Sequence, residues 1–253
     1  MESIGMEGIG KLTLVETRLF LREKVAMLGV FAFPVGLVIG FGLIPGFGKA
    51  QKSLSDQIGT EYIAALGVAI VLVSIGLQGV PMVIAQYRER GILRRLGVTP
   101  VRPITLLVAK LAVWAAAAAL SAVFVIAVSR LAFHVPLPVK AGWFVLSFVL
   151  GLAALFSLGM LVTAVAPTSR AATGIALALF FPNMFLAGIY FPTENMSPAL
   201  QRAGNITPLG SALHAIRDSW MGIDPRLEYL GIMAAWAVGA TVLATRFFRW
   251  DKA

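Results

Sequence analysis

The chemistry in this chain is concentrated in Gln86-Tyr-Arg-Glu-Arg-Gly-Ile-Leu-Arg-Arg-Leu-Gly-Val-Thr-Pro-Val-Arg-Pro103, where five arginines surround one glutamate. On a helix, Glu89, Ile92, Leu93 and Leu96 gather on one side, with Arg88, Arg90, Arg94 and Arg95 on the other. Pro100 and Pro103 stop that helix, because proline has no N–H to donate and its ring clashes with the preceding turn. An apolar ridge bearing one acid suits a groove on a partner protein. A basic loop held by anionic lipid headgroups has the same composition, and the residues by themselves leave both readings open.

Other chemistry is missing. A phosphate cradle needs a glycine-rich loop ending in Gly-Lys-Ser/Thr, and Gly46-Phe47-Gly48-Lys49 lacks both the spacing and the hydroxyl. There is no cysteine, which excludes thiolate metal sites, disulfides and cysteine nucleophiles. The two histidines, His134 and His214, lie far apart, and His214 with Asp218 is an ordinary i,i+4 helix pair. No catalytic set, metal site or bound cofactor is expected. A lipid-modifying enzyme would have to use Glu194, His214, Arg217 and Asp218, the one outer group of convergent polar side chains.

The elements that position these residues are membrane helices. Of 253 residues, 58% are hydrophobic and 13% charged, and the mean hydropathy is +0.86. A soluble domain is nearer ~45–50% apolar and ~25% charged; lipid, itself an apolar solvent, accommodates the excess. Apolar stretches near Val25–Ile44, Tyr62–Ile84, Ile104–Ser129, Gly142–Val165, Thr173–Tyr190 and Leu227–Thr245 each match the ~20 residues that cross a bilayer core. The expected fold is therefore all-α and integral to the membrane, with six transmembrane helices in one domain covering 1–253.

Residues 8–24 precede the first span as an amphipathic helix, with Lys11, Arg18 and Arg22 on one face beside Leu12, Val15 and Leu19. That pattern fits a helix lying in the membrane interface or one packed on a cytosolic partner. With the N-terminus inside, fourteen of the 21 lysines and arginines fall on the inner side and the acidic residues divide evenly. By the positive-inside rule both termini are cytoplasmic. The +9 charge is thus a matter of topology, and no nucleic-acid partner is expected. Residues 85–103 form a charged inner loop and 191–226 an outer hairpin whose apolar residues suit dipping into the outer leaflet.

The middles of the six spans hold no ionisable residue, which disfavours coupling to protons or sodium. Lys110 lies one to two turns inside the third span and is expected to snorkel back to the inner surface. In the fifth span, Phe180, Phe181, Asn183, Met184 and Phe185 surround Pro182, which tends to kink a helix. Together with Ser74 and Gln78 of the second span they are candidates for a substrate path; ordinary packing and an interhelical hydrogen bond would explain the same residues. Gly36-xxx-Gly40 and Gly231-xxx-Ala235-xxx-Gly239 read as close helix packing.

Glu89, Gly91, Leu93, Leu96, Thr99, Pro100 and the downstream Lys110 resemble the inner loop of type-2 ABC exporter permeases. Gly188-Ile-Tyr-Phe-Pro192, Met196-Ser-Pro198, Leu200-Gln201, Asn205-Ile-Thr-Pro208 and Leu213…Arg217 resemble the extracellular hairpin before the last span of that family. The resemblance covers the whole chain. It implies a half-transporter in a prokaryotic cytoplasmic membrane, paired with a second permease chain and docked on a separate ABC ATPase that holds ATP and Mg. It also implies that Arg88, Glu89, Arg90, Gly91, Leu93, Arg94 and Leu96 form a coupling helix supported by Lys11, Arg18 and Arg22. The chain itself would not be an enzyme, and its cargo would be a drug-like or lipid-like amphipath. The rival expectation is a non-transporting membrane protein, either an assembly factor or a lipid-modifying enzyme.

Overall fold

The computed structural model describes residues 3–44, 61–91, 103–191 and 193–247, and every regular element among them is helical. Helix α1 is Ser3–Arg22. Helix α2 is continuous through Lys24–Met27, a π-helical Leu28–Ala32 and Phe33–Leu43. Helix α3 runs Glu61–Glu89 with a π-helical Ser74–Gly79 in its middle. Then follow α4 (Pro103–Phe133), α5 (Ala141–Val165), α6 (Ser169–Leu186), α7 (Pro198–Ile206), α8 (Pro208–Trp220) and α9 (Leu227–Phe247).

Five of these helices, α3, α4, α5, α6 and α9, are long and apolar enough to cross a membrane, and the apolar part of α2, Leu28–Leu43, is shorter. Their surfaces say the same. Val123 and Phe124 on α4, Ile175 and Leu177 on α6, and Val238 and Val242 on α9 are exposed, an apolar perimeter that lipid solvates and water does not. The chain is a multi-pass membrane protein.

At the centre stands α3, buried without interruption from Tyr62 to Leu77. A helix apolar on every side belongs inside a bundle, and α2, α4, α5 and α8 enclose it. The crossing with α5 is close because both partners are glycine: a Cβ on Gly159 would lie 2.1 Å from the Gly76 carbonyl oxygen. Helix α5 in turn packs along α9. On α1, Glu16 and Phe20 are buried while Val15 and Leu19 stay half exposed, so its apolar stripe is left for lipid, as befits an interfacial helix.

Two expectations are corrected and one is filled in. First, the segment expected as an outer hairpin is helical, and its α8 is buried among α3, α5 and α9. Ser197 and Thr207 accept from the Leu200 and Gly210 N–H groups, each followed by a proline at the first helical position, which is how a polar, proline-rich segment starts two helices in quick succession. Trp220 then anchors the end of α8, its indole N–H donating to the Pro136 carbonyl at 2.7 Å. Second, α6 starts at Ser169 and not Thr173, because Thr168 caps it, and it continues through Pro182 to Leu186. Third, Gly36, Gly40, Gly231 and Gly239 have nothing within 4 Å of a notional Cβ, so among the described residues those small-residue rows pack against no other helix.

Candidate functional site

The two ends of α3 do different work, and its arginine-rich end is the more constrained. Arg88 is buried and donates through Nη1 to the Thr163 carbonyl at 2.8 Å and through Nη2 to the Ala166 carbonyl. These acceptors are last-turn carbonyls of α5, left unpaired by the end of the helix and bearing its negative dipole charge. The neighbouring Glu89 accepts from the Ser169 N–H and the Ser169 hydroxyl, both at 2.6 Å. That is the first turn of α6, where backbone donors and the dipole favour a carboxylate. Consecutive residues of opposite charge thus hold the two sides of the 166–168 turn that joins α5 to α6. Thr163, Ala166 and Ser169 were not expected at any site.

Arg88 is thus buried and bonded within the chain, whereas Glu89, bonded to Ser169, is exposed. Arg90 ends α3 and is exposed; Gly91, at φ +65 and in open space, turns the backbone into a left-handed conformation that a side chain would strain. Arg18 and Arg22 are exposed on α1. Leu93, Arg94 and Leu96 lie outside the described residues, as does the side chain of Lys11.

Lys110 does not snorkel. It is buried, with Nζ 2.7 Å from Glu16 Oε2 and 3.3 Å from the Tyr87 hydroxyl, which donates to both carboxylate oxygens of Glu16 at 3.1 Å. This cluster ties α1 to α3 and α4. An ammonium this far into an apolar helix calls for a counter-ion, and that signal was present in the sequence. Which acid supplies it was not, because Glu16 lies 94 residues away.

The path candidates divide. Gln78, Phe180 and Phe181 line one cavity of about 700 Å³, together with Leu28, Gly29, Ala32, Phe33, Leu37 and Tyr190. The α2 contribution was missed, since nothing distinguishes those residues from lipid-facing ones in sequence. Ser74 is buried and lines a smaller neighbouring cavity of about 140 Å³ with Gln78, Trp114 and Glu23. Both π-helical turns border these spaces; wide turns of this kind are frequent at functional sites. Asn183 is buried and donates to the Leu179 carbonyl at 2.9 Å on its own helix. Met184 is fully buried and Phe185 is exposed, and neither lines either cavity.

At the far end, His214 stacks on Tyr229 with ring centroids 5.2 Å apart. Burial, reinforced by the nearby Arg217 and Arg226, lowers its pKa to about 4, so the imidazole is neutral near pH 7. Asp218 is pushed upward by burial. The side chain of Glu194 lies outside the described residues, and no group that could hold a metal occurs among those described.

Similarity to known proteins agrees with this architecture. Over 95 residues the chain is 28% identical to Nodulation protein J of Rhizobium leguminosarum bv. viciae, covering 37% of each protein. Over 96 residues it is 30% identical to Nodulation protein J of Rhizobium meliloti (strain 1021), covering 37% of this chain and 36% of that protein. The matches thus span little more than a third of those relatives. The family model for the ABC-2 family transporter protein matches residues 50–246, from before α3 to the last turn of α9. The chain belongs to the ABC-2 transporter family, as one of its transmembrane subunits.

Proposed function

We propose that this chain is the permease of an ATP-driven exporter in a prokaryotic cytoplasmic membrane, with both termini and the arginine-rich end of α3 in the cytoplasm. It works as a dimer with a like or related chain and is driven by a separate ABC ATPase. ATP and Mg belong to that partner, and this chain catalyses no reaction. Its cargo is an amphipathic drug-like or lipid-like molecule held between α2, α3 and α6. The cation distribution supports the orientation. The apolar cavity with its single amide supports an amphipathic cargo over a polymer.

The observation that carries the reading is the grip of Arg88 and Glu89 on the α5–α6 turn. A push on residues 92–102 from an ATPase would enter α3 beside this grip and pass to two spans at once. Leu93, Arg94 and Leu96 are then the docking residues, Arg90 and Gly91 the joint, and Lys11, Arg18 and Arg22 the lipid-facing support. The test is purification of the tagged chain in mild detergent from cells that also express its neighbouring genes. A stoichiometric ATPase is expected to co-elute and to be lost with Leu93→Asp. Elution of the chain alone would overturn the reading.

A further inference from the structure

Apart from the cavities between α2, α3 and α6, helices α1, α2 and α4 enclose a groove of about 640 Å³. Ala112, Ala116 and Ala117 of α4 line it with short side chains, which leave it deep. Phe20 of α1 lines it too, braced by Trp114 with ring centroids 5.3 Å apart. Phe31 and Phe124 meet edge to face at 5.8 Å toward the other end, ~15 Å along α4 from Trp114. The lining is hydrocarbon except for Thr13 and Thr17, and the Thr17 hydroxyl donates back to the Thr13 carbonyl at 2.8 Å. Leu21, Leu28 and Leu120 stand exposed along it, so among the described residues nothing covers it.

Size separates the candidate occupants. From Ala112 to Phe124 the groove follows α4 for about 18 Å at ~1.5 Å per residue, slightly more than one leaflet of a ~30 Å hydrocarbon core. At ~30 Å³ for a group the size of water, about 640 Å³ holds about twenty methylenes, which is one acyl chain. A helix ~10 Å across would need roughly 1,400 Å³ over the same length and could rest only on the rim.

The α1 end of the groove is basic. Arg18 and Arg22 directly follow the lining residues Thr17 and Leu21, and Lys24 lies one turn before Met27 and Leu28 on the same face of α2. All three cations are exposed, and Glu23 is the one exposed acid among them, which leaves an excess of positive charge. Glu16 does not offset it, being buried and paired with Lys110. A second copy of this chain seated here about a two-fold axis would bring two such basic ends together. An anionic headgroup meets them with opposite charge.

We infer that this groove is a binding site for one anionic phospholipid, with an acyl chain lying over Ala112 and Ala116 and the phosphate beside Arg18, Arg22 and Lys24. That the lipid is drawn from the inner leaflet rests on the orientation proposed above; that it binds does not.

The test is native mass spectrometry of the full chain, stripped of lipid in mild detergent and titrated with palmitoyl-oleoyl phosphatidylglycerol or the corresponding phosphatidylcholine. One phosphatidylglycerol is expected to bind about tenfold more tightly than phosphatidylcholine. Changing Arg18, Arg22 and Lys24 together to Gln is expected to abolish that preference. Ala116→Phe fills the groove from an exposed position and is expected to lose the tightly bound lipid while the unfolding midpoint holds. Ala112→Phe, one turn away, replaces it if the midpoint falls. Absence of a tightly bound lipid, equal affinity for the two headgroups, or binding indifferent to the filled groove would overturn the inference. So would a dimer that Ala116→Phe splits with the lipid still bound. If phosphatidylglycerol binds as expected and no ATPase joins the chain, the site stands and the exporter reading falls. If an ATPase joins and the lipid fails these tests, the exporter stands and the site falls.

Discussion

Lys110 and Glu16 sit where an isolated charge of either sign would be costly, each only a few per cent exposed. Removing one partner of such a pair leaves the other buried and uncompensated, about 3–5 kcal/mol by comparison with other buried pairs, whereas removing both can be nearly neutral. Lys110→Met alone is therefore expected to lower thermal stability in detergent sharply, and Glu16→Gln with Lys110→Met to recover most of the loss. Additive losses would mean that the pair is not a closed unit. The same pair marks how far single residues can be read in sequence. Gln78, Phe180 and Phe181 stood out because a polar group and adaptable apolar groups at membrane depth suggest a cavity, and they line one. Met184 and Phe185, one and two residues beyond Asn183, point elsewhere, because successive helical residues turn by about 100°. Arg88 and Glu89 were legible as a charged site. That they grip the α5–α6 turn was not, since their acceptors and donors lie 75 to 80 residues on.

At the scale of elements, spans α3, α4, α5 and α9 were legible from hydropathy, because lipid imposes a length on any helix that crosses it. The ends were less so: Thr168 moved the start of α6 by one turn through a cap that hydropathy does not register. Helix α8 was legible as a helix around His214 and Asp218, but not as a buried one, since its burial depends on neighbours distant in sequence. The α3–α5 crossing depends on Gly76 and Gly159, and Gly159→Val is expected to destabilise the fold by about 1–3 kcal/mol or to separate the helices. Thermal unfolding of the purified variant checks this, and an unchanged midpoint would contradict the crossing. Helix α8 also carries a pH dependence. The His214 pKa, about 4 in the folded protein, lies below the ordinary ~6.5. Protonation therefore favours the unfolded state, and the stability His214 contributes is complete above ~6.5 and lost as pH falls to about 4. Thermal stability is expected to decline over that window, and His214→Gln to flatten the decline. An unchanged slope in the variant would assign the dependence to other groups.

For the whole molecule, the apolar perimeter and the central α3 suit a bilayer, and the charged clamp lies at one end of α3. Hydropathy and cation asymmetry pointed to the membrane and to an orientation within it. They could not reveal that one helix end holds the turn between two others, because that arrangement depends on tertiary contact. In the proposed account this clamp converts ATPase motion into movement of α5 and α6, so breaking it should uncouple the two without releasing the partner. The most direct measurement is ATP hydrolysis by the co-purified complex in nanodiscs, compared with the isolated ATPase and with a complex carrying Glu89→Gln and Ser169→Ala. The account expects the intact complex to hydrolyse ATP several-fold faster than the isolated ATPase, and the double variant to retain the ATPase while its rate falls to the isolated level. A rate that the chain does not alter, or one indifferent to the double variant, would contradict it.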